Sequence, residues 1–363
     1  MKIGILTFHK VNNLGAVLQA TALQNYIYTN IGKCEIIDFY PNNASFRDMS
    51  LFYKILRLGK RILMPVNSFD QYIKEKRFNE FREKYYTLSN ATYYGDADIK
   101  ENSIEYDILI SGSDQIFNTT LTGNTSAFYL DFNKKAKKVS YASSFGRECI
   151  SQQEIELVKK EIPKFSSVSV REKTAGDIIE KETSIKAQLV VDPVFLLNAV
   201  EWKKYCNEKI KLPSKYIFVY SMEVSLVLEK IVDKLRNIYN IPVIIVRGGG
   251  KSGRISGNED KKCGPAEFLS YIKNADFVVT NSFHGTAFSI IFGRKFICVA
   301  HSARNTRLEN IMDLVNCKNK IANEQILNPN VSEYIVDGRE AYQDMKIVIT
   351  NSKKYLSNSV KLN

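Results

Sequence analysis

Of the three histidines in this chain of 363 residues, His284 stands where an α/β enzyme would keep a reactive group. It lies in DFVVTNSFHGTAFSIIFGRKFICVA, Asp276 to Ala300. Phe277 to Thr280 and Phe296 to Val299 are short, apolar, β-branched runs of the kind a parallel sheet buries on both faces. Gly285 to Phe292 reads as the crossover helix between them. Ligands of open α/β sheets bind at the carboxyl ends of the strands, which puts Asn281, Ser282, Phe283 and His284 on the rim of a crevice. The N–H groups that open the helix add a place for an anion. A lone histidine is more often a satisfied core group, but this one sits in a small polar turn beside Gly285, as if backbone must approach something closely. Imidazole titrates near neutrality and suits acid/base work.

Elements on either side must hold such a turn, and their pattern occurs twice. The first half runs from strand Ile3 to Phe8 through the loop His9 to Gly15 into a helix over Ala16 to Tyr28, then strand Cys34 to Asp38. Asn12, Asn13 and Gly15 do not make a dinucleotide fingerprint. An excursion over 45–88 predicts two charged helices, the second with Phe69, Tyr72, Ile73 and Phe81 on one face. Strand Asp107 to Ile110 leads into SGSDQ, Ser111 to Gln115. Strands follow at Val139 to Ala142, Val168 to Val170 and Leu189 to Val191, and Asp192-Pro193 marks a turn.

The second half restarts with strand Tyr216 to Tyr220, a helix over Val224 to Ile238 and strand Val243 to Val246. Gly250, Lys251 and Ser252 imitate the end of a P-loop, but Ile245 occupies the place of its first glycine, so that motif is rejected. Gly264-Pro265 opens another helix. Thr306 and Glu309 fit a capping box, which places Arg304, Asn305 and Arg307 at a helix start. A helical segment near the C-terminus, over Gly338 to Leu356, packs back on the body. YDILISGSDQIF and ADFVVTNSFHGTAF echo each other as acid, strand, polar turn and helix. The expectation is an α/β fold of two Rossmann-like domains facing a cleft, with residues 1–206 as the first, 207–335 as the second and 336–363 as a helical tail.

Composition narrows the function classes. Hydrophobic content of 44% fits a soluble globular protein, no run approaches a transmembrane length, and the start MKIGILTFHK has too short an apolar core for a signal peptide. Six scattered cysteines without a CxxC pair point to reduced thiols in the cytoplasm, and no cluster has metal-ligand spacing. Fifty-one Lys and Arg against 39 Asp and Glu give +12, which favours anionic partners. Lys54, Arg57, Lys60 and Arg61 between Met49 and Met64 fit either a basic amphipathic helix lying on anionic lipid or a docked helix with a solvated face. Nucleic acid is disfavoured, because no recognition motif accompanies the charge.

The ordered set ILTFHKVNNLGAVLQATALQ, DILISGSDQIFN, VSYASSFG, VSVREKTAG, VVDPVFLL, GPAEFLSYIKNADFVVTNSFHGTAFSIIF and NTRLENI covers most of the chain. Each piece alone is weak, but together they resemble the polysaccharide pyruvyl transferase family. That resemblance implies a two-domain fold like the glycosyltransferases of the B architecture. It also implies transfer of pyruvate from phosphoenolpyruvate, with no further cofactor, onto a sugar as a cyclic ketal. The acceptor would be a unit of a surface polysaccharide, including one carried on a lipid diphosphate.

Phosphoenolpyruvate needs guanidinium forks for its carboxylate and phosphate. Arg171 matches an arginine the family uses for the donor, and its bland alternative is a salt bridge with Glu172. His284 matches the family histidine as acid/base. Some relatives have Arg-Leu-His where this chain has Ser282-Phe283-His284, so Arg307 or Arg247 is expected to replace the arginine missing at 282, with Arg304 a weaker candidate. Asp114, as a base or merely a helix cap, and Gln115 face the crevice from the first half. Asn12, Asn13, Gln19, Ser143, Ser144 and Gly146 complete the acceptor side. Two other readings are a glycosyltransferase using a nucleotide sugar and an inactive carbohydrate-binding partner.

Overall fold

The computed structural model describes residues 1–41, 66–102, 105–223, 225–249, 253–302, 305–325 and 330–361. The basic 49–64 segment and Arg304 lie outside them. In the first half, strands β1 (Ile3–Leu6), β2 (Cys34–Tyr40), β3 (Leu88–Tyr94), β4 (Ile108–Ser111) and β5 (Lys137–Ser140) form a parallel sheet in the order β3-β2-β1-β4-β5. The short parallel pair β6 (Ser169–Val170) and β7 (Gln188–Leu189) continues it through isolated bridges from Ser167 to Val139 and from Val170 to Ser143. In the second half, β8 (Ile217–Ser221), β9 (Val243–Arg247), β10 (Asn258–Glu259), β11 (Phe277–Thr280), β12 (Lys295–Cys298) and β13 (Val336–Asp337) take the order β10-β9-β8-β11-β12-β13, with only β13 antiparallel. The runs IGIL, ILIS, IFVYS and FVVT are buried at every position, as strands covered on both faces must be.

Strand order reverses between β1 and β4 in the first sheet and between β8 and β11 in the second. At such switch points the loops leaving the carboxyl ends splay apart and open a crevice. The helices involved are α1 (Leu14–Asn30), α2 (Val66–Tyr85), α3 (Gln152–Glu161), α4 (Lys173–Thr183), α5 (Leu226–Tyr239), α6 (Pro265–Asn274), α7 (Phe283–Ile291), α8 (Asn305–Leu314) and α9 (Gly338–Ser359). Helix α1 is buried almost all round, from Leu14 to Gln24, because it lies between its own sheet and the second half. The seam continues through the 3₁₀ turn Pro193–Leu196 to Trp202, whose indole N–H donates to Val194 O at 2.9 Å and whose ring meets Phe288 edge-on at 4.9 Å. Helix α9 returns to the first half, where Ser352 Oγ accepts the Val191 N–H at 3.0 Å and Tyr355 donates to Ser140 O at 3.1 Å.

Three sequence expectations need correction. The buried face of α2 carries Phe78 and Phe81, while Phe69 and Tyr72 are exposed, because the helix docks through its second half. Thr306 does not cap α8: the helix begins at Asn305, whose Oδ1 takes the His301 N–H at 2.7 Å, and Thr306 reaches across to Glu148 at 3.3 Å. Strand β3 was not anticipated, since LSNATYY lacks a continuous apolar run and lies at a sheet edge. Among the described residues, no helix is long and apolar enough to cross a membrane.

Glu154 is the polar hub of the first half. Wholly buried, it accepts from the N–H groups of Thr119 (2.8 Å) and Ser151 (2.7 Å), from both their hydroxyls, and from Arg147, closing a capping box on α3. Burial alone would raise its carboxyl, but the Ser151 N–H, Arg147 and the Thr119 N–H outweigh burial and hold it below the usual range. Its stabilising effect is therefore complete above the ordinary carboxylate range and is lost as pH falls through the folded value. Glu154→Ala leaves the buried Thr119 N–H and the Ser151 N–H unpaired beside a half-exposed guanidinium and is expected to cost about 1–3 kcal/mol. Thermal melts at a series of pH values check this: the gap between wild type and variant should narrow on acidification.

Candidate functional site

The two switch points meet. Loop 7–13 and SGSDQ leave β1 and β4, the turn Asn281 to Phe283 leaves β11, and the histidine that opens α7 lies against the start of α1. A Cβ on Gly15 would fall 2.1 Å from His284 Nδ1 and 2.2 Å from its Cε1. Gly15 is thus the floor beneath the imidazole. At Gly285, the glycine the sequence suggested, a Cβ would instead meet the side chain of Thr280 at the end of β11.

The opposite ring nitrogen, Nε2, faces Asp192 Oδ2 at 3.7 Å. The same oxygen takes Nη1 of Arg171 at 2.6 Å, while Oδ1 accepts the Val194 N–H at 3.0 Å and so caps the 3₁₀ turn on the seam. Asp192 is 1% exposed. Burial would raise its carboxyl, but His284 and then Arg171 outweigh that and hold it well below the ordinary range. A buried carboxylate between a guanidinium and an imidazole keeps its charge and orients both. The sequence offered only a turn signal here, although an acid inside VVDPVFLL is itself a sign that a charge has been buried for a reason.

Arg171 is buried among three carboxylates: Asp192, Glu172 Oε2 at 3.6 Å from Nε, and Asp114 Oδ1 at 3.8 Å from Nη2. Burial would lower its basicity, but these charges, Asp192 foremost, raise it. Its guanidinium lies 5.3 Å over the Phe283 ring, which in turn meets the His284 ring edge-on at 5.1 Å. Nη1 is committed to Asp192, whereas Nε and Nη2, the side-on fork of the guanidinium, are buried without a hydrogen bond, as are Glu172 Oε2 and His284 Nε2. A fork of that kind matches two oxygens of a carboxylate or phosphate. A cavity of about 180 Å³ opens beside it, with Arg171, Lys173 and Arg307 among its polar lining and Val190, Phe195, Leu314 and Met345 among its apolar lining.

Asp114 sits at φ 81°, a left-handed conformation uncommon for a residue with a Cβ, and Ala142 in the neighbouring turn is at φ 53°. Asp114 caps no helix: the next one is capped by Asn118. Strain held at a strand's carboxyl end is typical of a functional turn. Gln115 fills the space over Gly146, whose φ is 68°.

Other expected residues have internal work. Ser143 is wholly buried and donates to Ser111 O (3.3 Å) and Gly112 O (3.4 Å), and Ser144 bonds Glu172 and accepts the Gly146 N–H. Asn281 holds the Met222 N–H (2.7 Å) and Glu223 O (3.3 Å), and Ser282 caps α7. Asn13 caps α1, Asn12 accepts from Arg82 (2.9 Å), and buried Gln19 donates to Thr7 Oγ1 (3.0 Å). Arg307 lines the cavity with Arg171; Arg247 does not, and lies 3.4 Å from Glu259 at the end of β9.

The remaining histidines repeat a pattern that sequence reading missed. His9 Nε2 lies 2.9 Å from Asp38 Oδ1, where burial would raise the carboxyl but hydrogen bonds from His9 and Thr92 bring it down to about 2. His301 Nδ1 lies 3.5 Å from Glu223 Oε1. Each histidine faces a carboxylate at the carboxyl edge of a sheet, but only His284 joins the two halves.

Among solved structures, the chain is similar to Anabaena Alr3699/HepE in complex with UDP and glucose, with a TM-score of 0.53, 9% identity and 99% of each chain covered. It is also similar to the UDP-GlcNAc 2-epimerase of Methanocaldococcus jannaschii, with a TM-score of 0.49, 15% identity, and 96% of this chain and 100% of that chain covered. The likeness is one of fold, the two Rossmann-like domains of the glycosyltransferase B architecture. No curated protein matches the chain in sequence. The family model for polysaccharide pyruvyl transferase matches residues 13–303, a span that carries Gly15, Asp114, Arg171, Asp192 and His284, and the chain belongs to that family.

Proposed function

We propose that the protein moves pyruvate from phosphoenolpyruvate onto a sugar of a surface polysaccharide or its lipid-linked precursor as a cyclic ketal. The observation that carries this reading is the side-on fork of Arg171, buried without hydrogen bonds at the wall of a cavity and tied through Asp192 to His284. The fork would take the donor carboxylate, with Arg307 and Lys173 near the phosphate. The enol methylene gains a proton, two sugar oxygens bond to the central carbon, and its bond to the phosphate oxygen breaks. Of the two hydroxyl protons released, one replaces the proton given to the methylene and the other leaves with phosphate. His284 carries the proton, its ring seated on Gly15, while Asp192 steadies the ring when it is charged. Asp114 would receive an acceptor proton. A location on the cytoplasmic face of a membrane fits this role.

Calorimetry should show phosphoenolpyruvate binding, and Arg171→Lys should weaken it about tenfold or more, since an ammonium cannot act as a fork. Equal affinity in the variant would remove Arg171 from the donor site. Binding of UDP with silence toward phosphoenolpyruvate would move the protein to glycosyl transfer.

His284→Asn should melt like wild type but lower kcat by roughly 10²-fold or more. Gly15→Ala keeps a good helix former in α1, yet its methyl must displace the imidazole, and a misplacement of that size can cost about 10²-fold in turnover. Steady-state kinetics beside thermal melts decide the matter: normal turnover in either variant contradicts a proton route through this ring.

A further inference from the structure

A second concave surface lies apart from the site just described and shares no lining residue with it. It is an open groove of about 480 Å³ between α2 on one side and, on the other, residues 203–209 with the start of α6. Five cations line it (Arg77, Lys84, Lys203, Lys204 and Lys209) against three carboxylates, Glu80, Glu208 and Glu267, which leaves an excess of two positive charges.

Two of these carboxylates are occupied. Glu267 accepts from the Gly264 N–H at 3.1 Å and from Asn207 at 2.9 Å, and Glu80 pairs with Lys76 at 3.6 Å. Arg77 is held by Lys262 O, Asp260 and Glu267. Lys84, Lys203, Lys204 and Lys209 make no ion pair among the described residues. Two of them, both exposed, lie over aromatic rings. Lys84 Nζ lies 5.0 Å over Tyr85 and Lys204 Nζ lies 5.0 Å over Tyr205, and these two rings meet edge-to-face at 4.6 Å. Tyr85 also donates to Lys204 O at 3.0 Å, which ties the platform together across the seam. Ammonium groups held over aromatic faces without carboxylate partners are prepaid in conformational entropy for an incoming anion.

We propose that this groove binds the phosphate groups of a ligand, a diphosphate or the phosphodiester headgroup of a lipid. Compact, strongly hydrated ammonium charges suit phosphate as point charges, and the positive excess favours an anionic ligand. Because its walls come from both halves, an occupied groove also clamps α2 to the second half.

The test uses the full chain and inorganic pyrophosphate, followed by calorimetry and by the fluorescence of Trp202, the sole tryptophan, whose ring lies 5.3 Å from Tyr205. Co-sedimentation with phosphatidylglycerol vesicles, against phosphatidylcholine, tests the headgroup. The groove variant is Lys84→Gln, Lys203→Gln and Lys204→Gln together. The control makes the same charge change at Lys135, Lys181 and Lys186, each more than 80% exposed. Pyrophosphate binding that weakens with salt and falls at least about tenfold in the groove variant alone supports the proposal for a free diphosphate. Vesicle binding lost only in the groove variant, without pyrophosphate binding, supports it for a lipid headgroup. Binding of neither probe, or equal loss in both variants, overturns it. Phosphoenolpyruvate affinity, measured separately, should be the same in all three proteins, so failure of the groove is distinguishable from failure of the transferase reading.

Discussion

Everything about this site depends on one buried carboxylate. Asp192 has four things to satisfy with two oxygens: its own desolvation, Nη1 of Arg171, the His284 ring and the first N–H of the turn that begins the seam. A lone carboxylate so deeply buried would take up a proton or force the chain open. Here the guanidinium and imidazole keep it ionised, and it in turn fixes where they point. The arrangement is mutual, and removing either charge of the Arg171–Asp192 pair would leave the other buried without its closest partner. It also draws its parts from both halves, since Arg171 follows the first sheet and His284 follows β11.

Charge is distributed unevenly over the molecule. Around Arg171 the carboxylates Asp192, Glu172 and Asp114 outnumber the guanidinium, whereas part of the chain's +12 is concentrated in a groove that shares no lining residue with that cavity. These places make different demands on a ligand. The first is dry and geometrically exact, where one hydrogen-bonding edge is worth more than net charge. The second is open to solvent, and salt will weaken whatever attraction it exerts.

Much of this was legible in the sequence, for physical reasons. Strands buried on both faces must be apolar throughout, so FVVT, IFVYS and ILIS announced themselves, and the polar turns after them had to lie at carboxyl ends. His284 was found in that way, and Arg171 by its place after strand 168–170 together with the family resemblance. Asp192 and Gly15 were not, because their roles rest on contacts between distant segments: what matters about Gly15 is the ring that lies on it, 269 positions away. Ser143 and Ser144 illustrate the opposite error. A serine-rich turn reads as a rim that offers hydroxyls, yet both are spent holding β4, β5 and Glu172 together. The edge strand β3 was hidden by its own polarity, which an edge tolerates and a central strand does not.

The return of α9 to the first half has a consequence for how the chain is made. The Val191 N–H is completed by Ser352, and Ser140 O by Tyr355, so groups in the first half wait for residues synthesised long afterwards. On a ribosome, where N-terminal segments emerge first, the first sheet can form early while these groups stay uncovered until α9 leaves the exit tunnel. Docking of α9 is then a late step that closes over backbone made long before it. A stop codon before Ser352 removes that step, and its product would be cleared as unfinished protein even though every residue around His284 had already been made.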